Sequence, residues 1–248
     1  MDSLILVNKP MNVLSQFSAE GQKVGLSTVL NAPGYRVAGR LDSDSEGLLI
    51  LTNDGRVQAR LTEPNKGVWK QYWVQVEGLP QNQALEALRR GVLLKDGPTL
   101  PARVDIISPP AVWERSPPIR YRANIPTTWL NIQIQEGRNR QIRRMTAAVG
   151  HPTLRLVRHR VGDFSLGELQ PGEYRSVALP SAFVPQTMQR KQVNAGGARS
   201  PSRSKAKSEG RGNAIQGGDA RQHKASKSTS GVTSQSGAKQ AHRTRNKS

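Results

Sequence analysis

The sequence contains no cysteine, which excludes disulfides, thiolate catalysis and cysteine-ligated zinc and agrees with a cytoplasmic location. It has no apolar stretch near the roughly 18 residues that span a bilayer, and its first residues carry no signal-peptide pattern. Acidic residues are scarce, 18 against 37 Lys and Arg, for a formal net charge of +19. Aromatic residues stop at Phe183, and from Gln186 onward 14 basic residues stand against 2 acidic ones among Ser, Gly, Gln and Ala. So little apolar surface cannot offset the entropy lost on folding. The expectation is a folded domain over residues 1–185 followed by a disordered basic tail over 186–248.

Without that tail, 23 basic residues face 16 acidic ones, so the domain is basic in its own right. A surplus of this size favours a polyanionic partner, because neutralising phosphates releases condensed counterions. Nucleic acid and an anionic membrane surface both meet that description. With nothing to span a bilayer, nucleic acid is the favoured reading.

What is present is a mixture of short strands and helices. Leu4 to Val7 and Tyr35 to Leu41 are candidate strands, with a helical turn or two at Leu26 to Leu30 between them. The run Gly47 to Thr52 puts Leu48 and Ile50 on one face and Leu49 and Leu51 on the other, which predicts a central strand covered on both sides. Asn53-Asp54-Gly55 is a turn signal, and a helix over Arg56 to Leu61 stops at Pro64. The stretch "KQYWVQVEG" alternates Tyr72, Val74 and Val76 on one face of a strand. A helix from Gln81 to Arg90 ends at Gly91, which suits a left-handed cap. Strands follow at Val92 to Leu94, Leu100 to Ile107 and Thr128 to Gln135. A helix over Arg138 to Val149 ends at Gly150, and strands at Leu154 to Val161 and Tyr174 to Leu179 complete the set. The pattern predicts an α+β domain on a mostly antiparallel sheet flanked by helices.

The densest concentration of charge on apolar sequence is "GRLDSDSEGLLILTNDG", Gly39 to Gly55, where Asp42, Asp44 and Glu46 precede the central strand. Three readings compete. The carboxylates can serve only the turn that feeds the strand. They can bind calcium, since Asp42, Asp44, Glu46 and Gly47 sit at positions one, three, five and six of an EF-hand loop. Position twelve would be Asn53, however, so the bidentate carboxylate is missing. Or one of them is a nucleophile or base beside a groove that recruits RNA, which needs a nearby cation to keep it ionised. The stretch "EGRNRQIRRM", Glu136 to Met145, offers such cations. On an ideal helix Ile142, Met145 and Val149 share an apolar face, Arg143 lies at its border, and Arg140 and Arg144 point further out toward phosphates. His151 and His159 make no metal site by spacing and read as structural or phosphate-contacting.

With "LVNKP" in front and "GHPTLRLVRHRVGDFSLGEL" behind, these three stretches decide among the readings. In order and separation they resemble the pseudouridine synthases that modify bacterial ribosomal RNA, over about residues 3 to 180. The resemblance implies the pseudouridine synthase fold with a central active-site cleft. It implies isomerisation of a uridine without metal, nucleotide or redox cofactor, with ribosomal RNA as partner, 23S rRNA or its large-subunit precursor. No membrane association is expected, and a monomer is the default. Asp42 matches the family's essential carboxylate, whereas Asp44 falls where the family tolerates various polar residues. Tyr72 matches the tyrosine that stacks on the uracil, and Arg143 the cation paired with the catalytic aspartate. Arg40 matches the arginine that fills the space of the flipped nucleotide, while Arg138, Arg140 and Arg144 are expected to hold the substrate. Most relatives carry a small basic RNA-binding domain in front, and this chain is expected to lack it. A catalytically silent RNA-binding protein on the same fold, or a synthase for another RNA uridine, are the alternatives.

Overall fold

The computed structural model of the chain describes residues 3–119, 122, 124–180 and 183. The basic segment from Gln186, and with it the expected domain boundary, lies outside the described residues. In chain order the elements are β1 (Ser3–Lys9), β2 (Arg36–Val37), β3 (Glu46–Thr52), α1 (Gly55–Thr62), β4 (Lys70–Glu77), α2 (Asn82–Arg90), β5 (Leu93–Leu94), β6 (Gly97–Pro98), β7 (Arg103–Ile107), β8 (Thr127–Ile134), α3 (Gln141–Ala148), β9 (Thr153–Val161), β10 (Phe164–Ser165) and β11 (Tyr174–Ala178). The main sheet runs β11-β1-β3-β9-β4-β8-β7, with β2 added to β3 and β10 to β9. Its neighbours are antiparallel except β3 and β9, which are parallel. This is the α+β architecture that the alternation of patterns predicted.

The sheet has an apolar cluster on each face, and β3 supplies both. Leu49 and Leu51 pack with Val74, Leu88 and Met145, while Leu48 and Ile50 pack with Val57 and Leu61 of α1. All seven residues of β3 are buried, and each large side chain contributes about 1.5–3 kcal/mol on leaving water. The strand is therefore the most firmly placed element from which a loop could be hung. Helix α1 starts where the Asp54 side chain accepts the Arg56 N–H at 2.8 Å, an N-cap that satisfies one of the first free amides.

Three sequence expectations change. The strand predicted over Tyr35 to Leu41 pairs only at Arg36–Val37, because Gly39 takes φ +91 and turns the chain away from β3. The helix predicted from Arg138 begins at Gln141, because Arg140 adopts φ 49, ψ 33 and cannot continue it. Arg138 and Arg140 are thus loop residues, and the helical-face argument holds only for Arg143 and Arg144. Gly91 has φ 95 but ψ 150, so it is no left-handed cap. A Cβ there would stand 2.5 Å from the Thr99 carbonyl, and close chain approach is what requires the glycine.

The parallel contact of β3 with β9 is one of the close approaches of the fold. A Cβ on Gly47 would fall 2.3 Å from the Arg158 carbonyl, so only glycine lets the two strands meet here. Next to it, Glu46 and Arg155 form a buried pair through two hydrogen bonds of 2.9 and 3.0 Å. Trp113 Nε1 adds a third, donated to Glu46 at 2.8 Å. Removing one member of such a pair leaves an uncompensated buried charge, at a cost of about 3–5 kcal/mol. Glu46→Leu should therefore lower unfolding free energy by about that amount in urea titration, and the double variant with Arg155→Met should recover part of it. Equal stability of Glu46→Leu and the parent would refute the reading of this pair.

Candidate active site

The segment Gly39 to Asp44 joins β2 to the buried β3, and its backbone is fastened residue by residue. Arg158, 2% exposed, donates from Nη2 to the Gly39 carbonyl at 2.8 Å and from Nη1 to that of Arg40 at 3.4 Å. The Ser15 hydroxyl donates to the Leu41 carbonyl at 2.7 Å and accepts the Leu41 N–H at 3.0 Å. The Asp42 carbonyl accepts from the Ser45 N–H, and that of Ser43 from the Asn12 N–H and from Lys9 Nζ at 3.4 Å. Arg143 Nη2 donates to the Asp44 carbonyl at 2.6 Å. Six consecutive carbonyls are thereby satisfied, as buried backbone demands. Lys9 is wholly buried and also donates to the carbonyls of Pro10 and Val13.

The three acids of the loop meet different fates. Glu46 turns to Arg155 and Trp113, so it cannot join Asp42 and Asp44 around a calcium ion, and the EF-hand reading fails on geometry. Asp44 takes a two-pronged pair of hydrogen bonds from Arg140 at 2.8 and 3.0 Å, with Arg143 Nε 3.5 Å away. Burial pushes the Asp44 carboxyl up, but the Arg140 hydrogen bonds and the charges of Arg143 and Arg140 outweigh it and hold it below the usual carboxylate range. Asp42 keeps its carboxylate open. Among the described residues only Arg140 brings a charged nitrogen within reach, at 4.0 Å.

Asp42 lines a cleft of about 590 Å³ together with Arg40, Tyr72, Arg138 and Arg140, so five of the seven residues singled out in the sequence come together. Tyr72 is buried and stands opposite Arg158 across the β4–β9 pairing. Arg40 is exposed, and its side chain has no hydrogen bond or ion pair among the described residues. Arg138 is committed to the Glu136 carboxylate at 3.2 Å and to the carbonyls of Gly97 and Pro98. Arg143 and Arg144 stand apart from the cleft wall. Arg143 is paired with Asp44 rather than with Asp42 as expected, because α3 sets it behind the loop, where the Asp44 carboxylate and carbonyl are nearer. Arg144 is held by Asp96 at 2.7 Å. His151 meets the Glu77 carbonyl, and His159 stacks on Trp73 at 4.3 Å, where burial pushes its pKa down to about 4.

Sequence reasoning missed Ser15, Arg158 and Lys70. Lys70 lies in phase with Tyr72 on β4, so period-two spacing could have found it, and it lines the same cleft. Ser15 and Arg158 act on backbone carbonyls more than 25 and 100 residues away, which no local pattern signals.

Residues 3–148 match the family model described as RNA pseudouridylate synthase. The chain is 57% identical over 176 residues to ribosomal large subunit pseudouridine synthase E of Vibrio parahaemolyticus, covering 71% of this chain and 74% of that one. It is 56% identical to the protein of that name from Xanthomonas axonopodis pv. citri, covering 72% and 96%. Among solved structures, the crystal structure of a pseudouridylate synthase superposes with a TM-score of 0.60 at 29% identity, covering 72% of this chain and 71% of that one.

The Asp44 network can be tested by pH. Asp44 binds its proton less readily in the folded chain than in the unfolded one. Its contribution is therefore complete above about pH 4, the unfolded value, and is lost as pH falls through the lower folded value. With its side chain a third exposed, screening limits the network to about 1 kcal/mol. Asp44→Asn should be less stable than the parent by up to that amount at pH 7 in urea unfolding, with the gap closing below about pH 4. A gap independent of pH would show that the charge of Asp44 is not what holds the arginines.

Proposed function

The chain belongs to the RNA pseudouridylate synthase family and is an enzyme that isomerises uridine to pseudouridine. From that premise we propose that its substrate is one uridine of large-subunit, 23S, ribosomal RNA, and that Asp42 is the nucleophile acting on a flipped-out nucleotide. The observation that carries this reading is the open Asp42 carboxylate, on a loop whose every carbonyl is fastened, facing a cleft walled by Tyr72. The names of the relatives support the class of RNA.

A uridine within folded RNA hides its reactive atoms. Extruding it costs a few kcal/mol of unstacking, which new contacts must offset. Arg40, exposed at the cleft, is placed to occupy the space the base leaves, and Tyr72 offers a ring for the uracil to stack on. Asp42 then acts by attack on C1′ of the sugar or C6 of uracil, or by assisting expulsion of uracil. The base rotates, C5 bonds to C1′, the C5 proton is removed, and N1 takes up a proton in its place. No atom is gained or lost, so the arithmetic of the reaction calls for no cofactor. Arg140 brings its guanidinium to 4.0 Å from the Asp42 carboxylate, a place that the sequence assigned to Arg143.

Pseudouridine mapping of total RNA from cells lacking this protein tests the proposal. One large-subunit site should disappear, and the wild type but not Asp42→Asn should restore it. An unchanged map would remove the proposed substrate, and restoration by Asp42→Asn would remove the nucleophile. The segment after Gln186, with its 14 basic residues, is proposed to add sequence-independent affinity. Deleting it should flatten the dependence of RNA binding on salt, and an unaltered slope would dismiss that role.

A further inference from the structure

Two lysines are buried among the described residues, and they are treated differently. Lys9 gives its three donors to three carbonyls, at 2.7, 2.8 and 3.4 Å, and lies in the field of Glu46, Asp44 and Asp42. Lys70 is 5% exposed and has only two long hydrogen bonds, to the carbonyls of Val68 at 3.3 Å and Gln135 at 3.4 Å. An ammonium has three donors, so one lacks an acceptor among the described residues. No carboxylate there pairs with it, and the charge felt from nearby is the positive one of Arg158. Burial, and then Arg158, push its pKa down to about 8. A buried, underbonded cation is costly, and this one lines the cleft that holds Asp42 and Tyr72.

Resting on the reading above, we infer that Lys70 is a catalytic residue whose ammonium donates a hydrogen bond to a carbonyl oxygen of the flipped uracil and holds the negative charge that collects there. Lys70 and Tyr72 project from the same face of β4, rooted about 7 Å apart along the strand. A base stacked on the tyrosine therefore presents its edge within reach of the lysine. When the C1′–N1 bond breaks, its electron pair passes to N1 and is shared with O2 and O4. Attack at C6 likewise pushes charge toward O4. Lys70 stabilises that charge while keeping all its protons. When C5 bonds to C1′ the pair enters the new bond; the C5 proton then leaves to a separate base, its bonding pair returns to the ring, and N1 takes up a proton. A donor already in place and out of water acts most strongly on charge that appears only during reaction. Tyr72 from the same strand, Arg158 from β9, Asp42 and Arg40 from the loop, and Arg138 and Arg140 from the segment before α3 are the other charged or titratable groups of this cleft.

The test uses the full chain and a large-subunit ribosomal RNA transcript tritiated at uridine C5, with tritium release as the rate. Release by the wild type checks the underlying reading, and no release from this RNA overturns that reading and this inference together. With the wild type active, Lys70→Met should lower kcat about 10²- to 10³-fold with KM changed only a few-fold. Lys70→Arg, which keeps the cation, should retain most of the rate. The wild-type rate should fall as pH rises above about 8, where Lys70 loses its proton, and Lys70→Arg should move that limb to higher pH. Only a titrating Lys70 does this, so the comparison decides even if Lys70→Met fails to fold. A folded Lys70→Met within threefold of the wild-type kcat, or an alkaline limb unmoved in Lys70→Arg, would overturn the inference.

Discussion

The site depends on a backbone that cannot move. Left free, the loop from Gly39 to Asp44 would sample many conformations, and ordering it would cost about 1–2 kcal/mol per residue. Here that cost is met by the fold, because each of its carbonyls already has a donor. The donors come from β1 and the turn after it, from β9, from α3 and from the loop itself. The Asp42 carboxylate, by contrast, is left without a hydrogen bond among the described residues, with only the Arg140 guanidinium 4.0 Å away. A reacting carboxylate must be held within a fraction of an ångström of its target. The loop achieves this by fixing the main chain and leaving the functional atoms free.

That arrangement explains why three acids crowd one short segment. Glu46, directed into the fold, locks the first residue of β3 to β9 through Arg155. Asp44 gathers Arg140 by its carboxylate and Arg143 by its carboxylate and its carbonyl. With these two arginines engaged by Asp44, Asp42 has a cation at 4.0 Å, too distant to bind it in a short salt bridge. One acid is structural, one organises the cations, and one is exposed to the cleft. The division follows from the turn at Ser43–Asp44, which breaks the extended chain before β3 and sends Asp44 and Glu46 to different surroundings, although residues two apart on one strand would share a face.

Much of this was legible in the sequence and some was not, for identifiable reasons. The central strand could be read because four consecutive large aliphatic residues leave no polar face. Tyr72 could be read from period-two alternation, and the acidic loop from its position before the buried run. The start of α3 could not be placed, because nothing in "GRNRQ" announces that Arg140 takes a left-handed conformation to meet Asp44. A helical wheel therefore assigned Arg140 to a face it does not occupy. The partner of Arg143 was also misplaced, since a choice between two aspartates two residues apart rests on side-chain direction. Ser15 and Arg158 carried no signal because their partners are main-chain carbonyls, which every residue possesses.

Arg158 also shows how completeness of the fold and competence of the site are coupled. Its guanidinium fastens Gly39 and Arg40 only if β9 lies parallel against β3, and that contact exists only because residue 47 has no Cβ. The same residue stands opposite Tyr72 and places a positive charge near Lys70. A single buried arginine thus reaches the loop of the proposed nucleophile, the proposed stacking ring and the proposed oxygen donor. Among the described residues, β9 is the last long strand in chain order. Until it enters the sheet, the segment bearing Asp42 lacks two of its donors, so the carboxylate acquires its fixed position only as the sheet is completed.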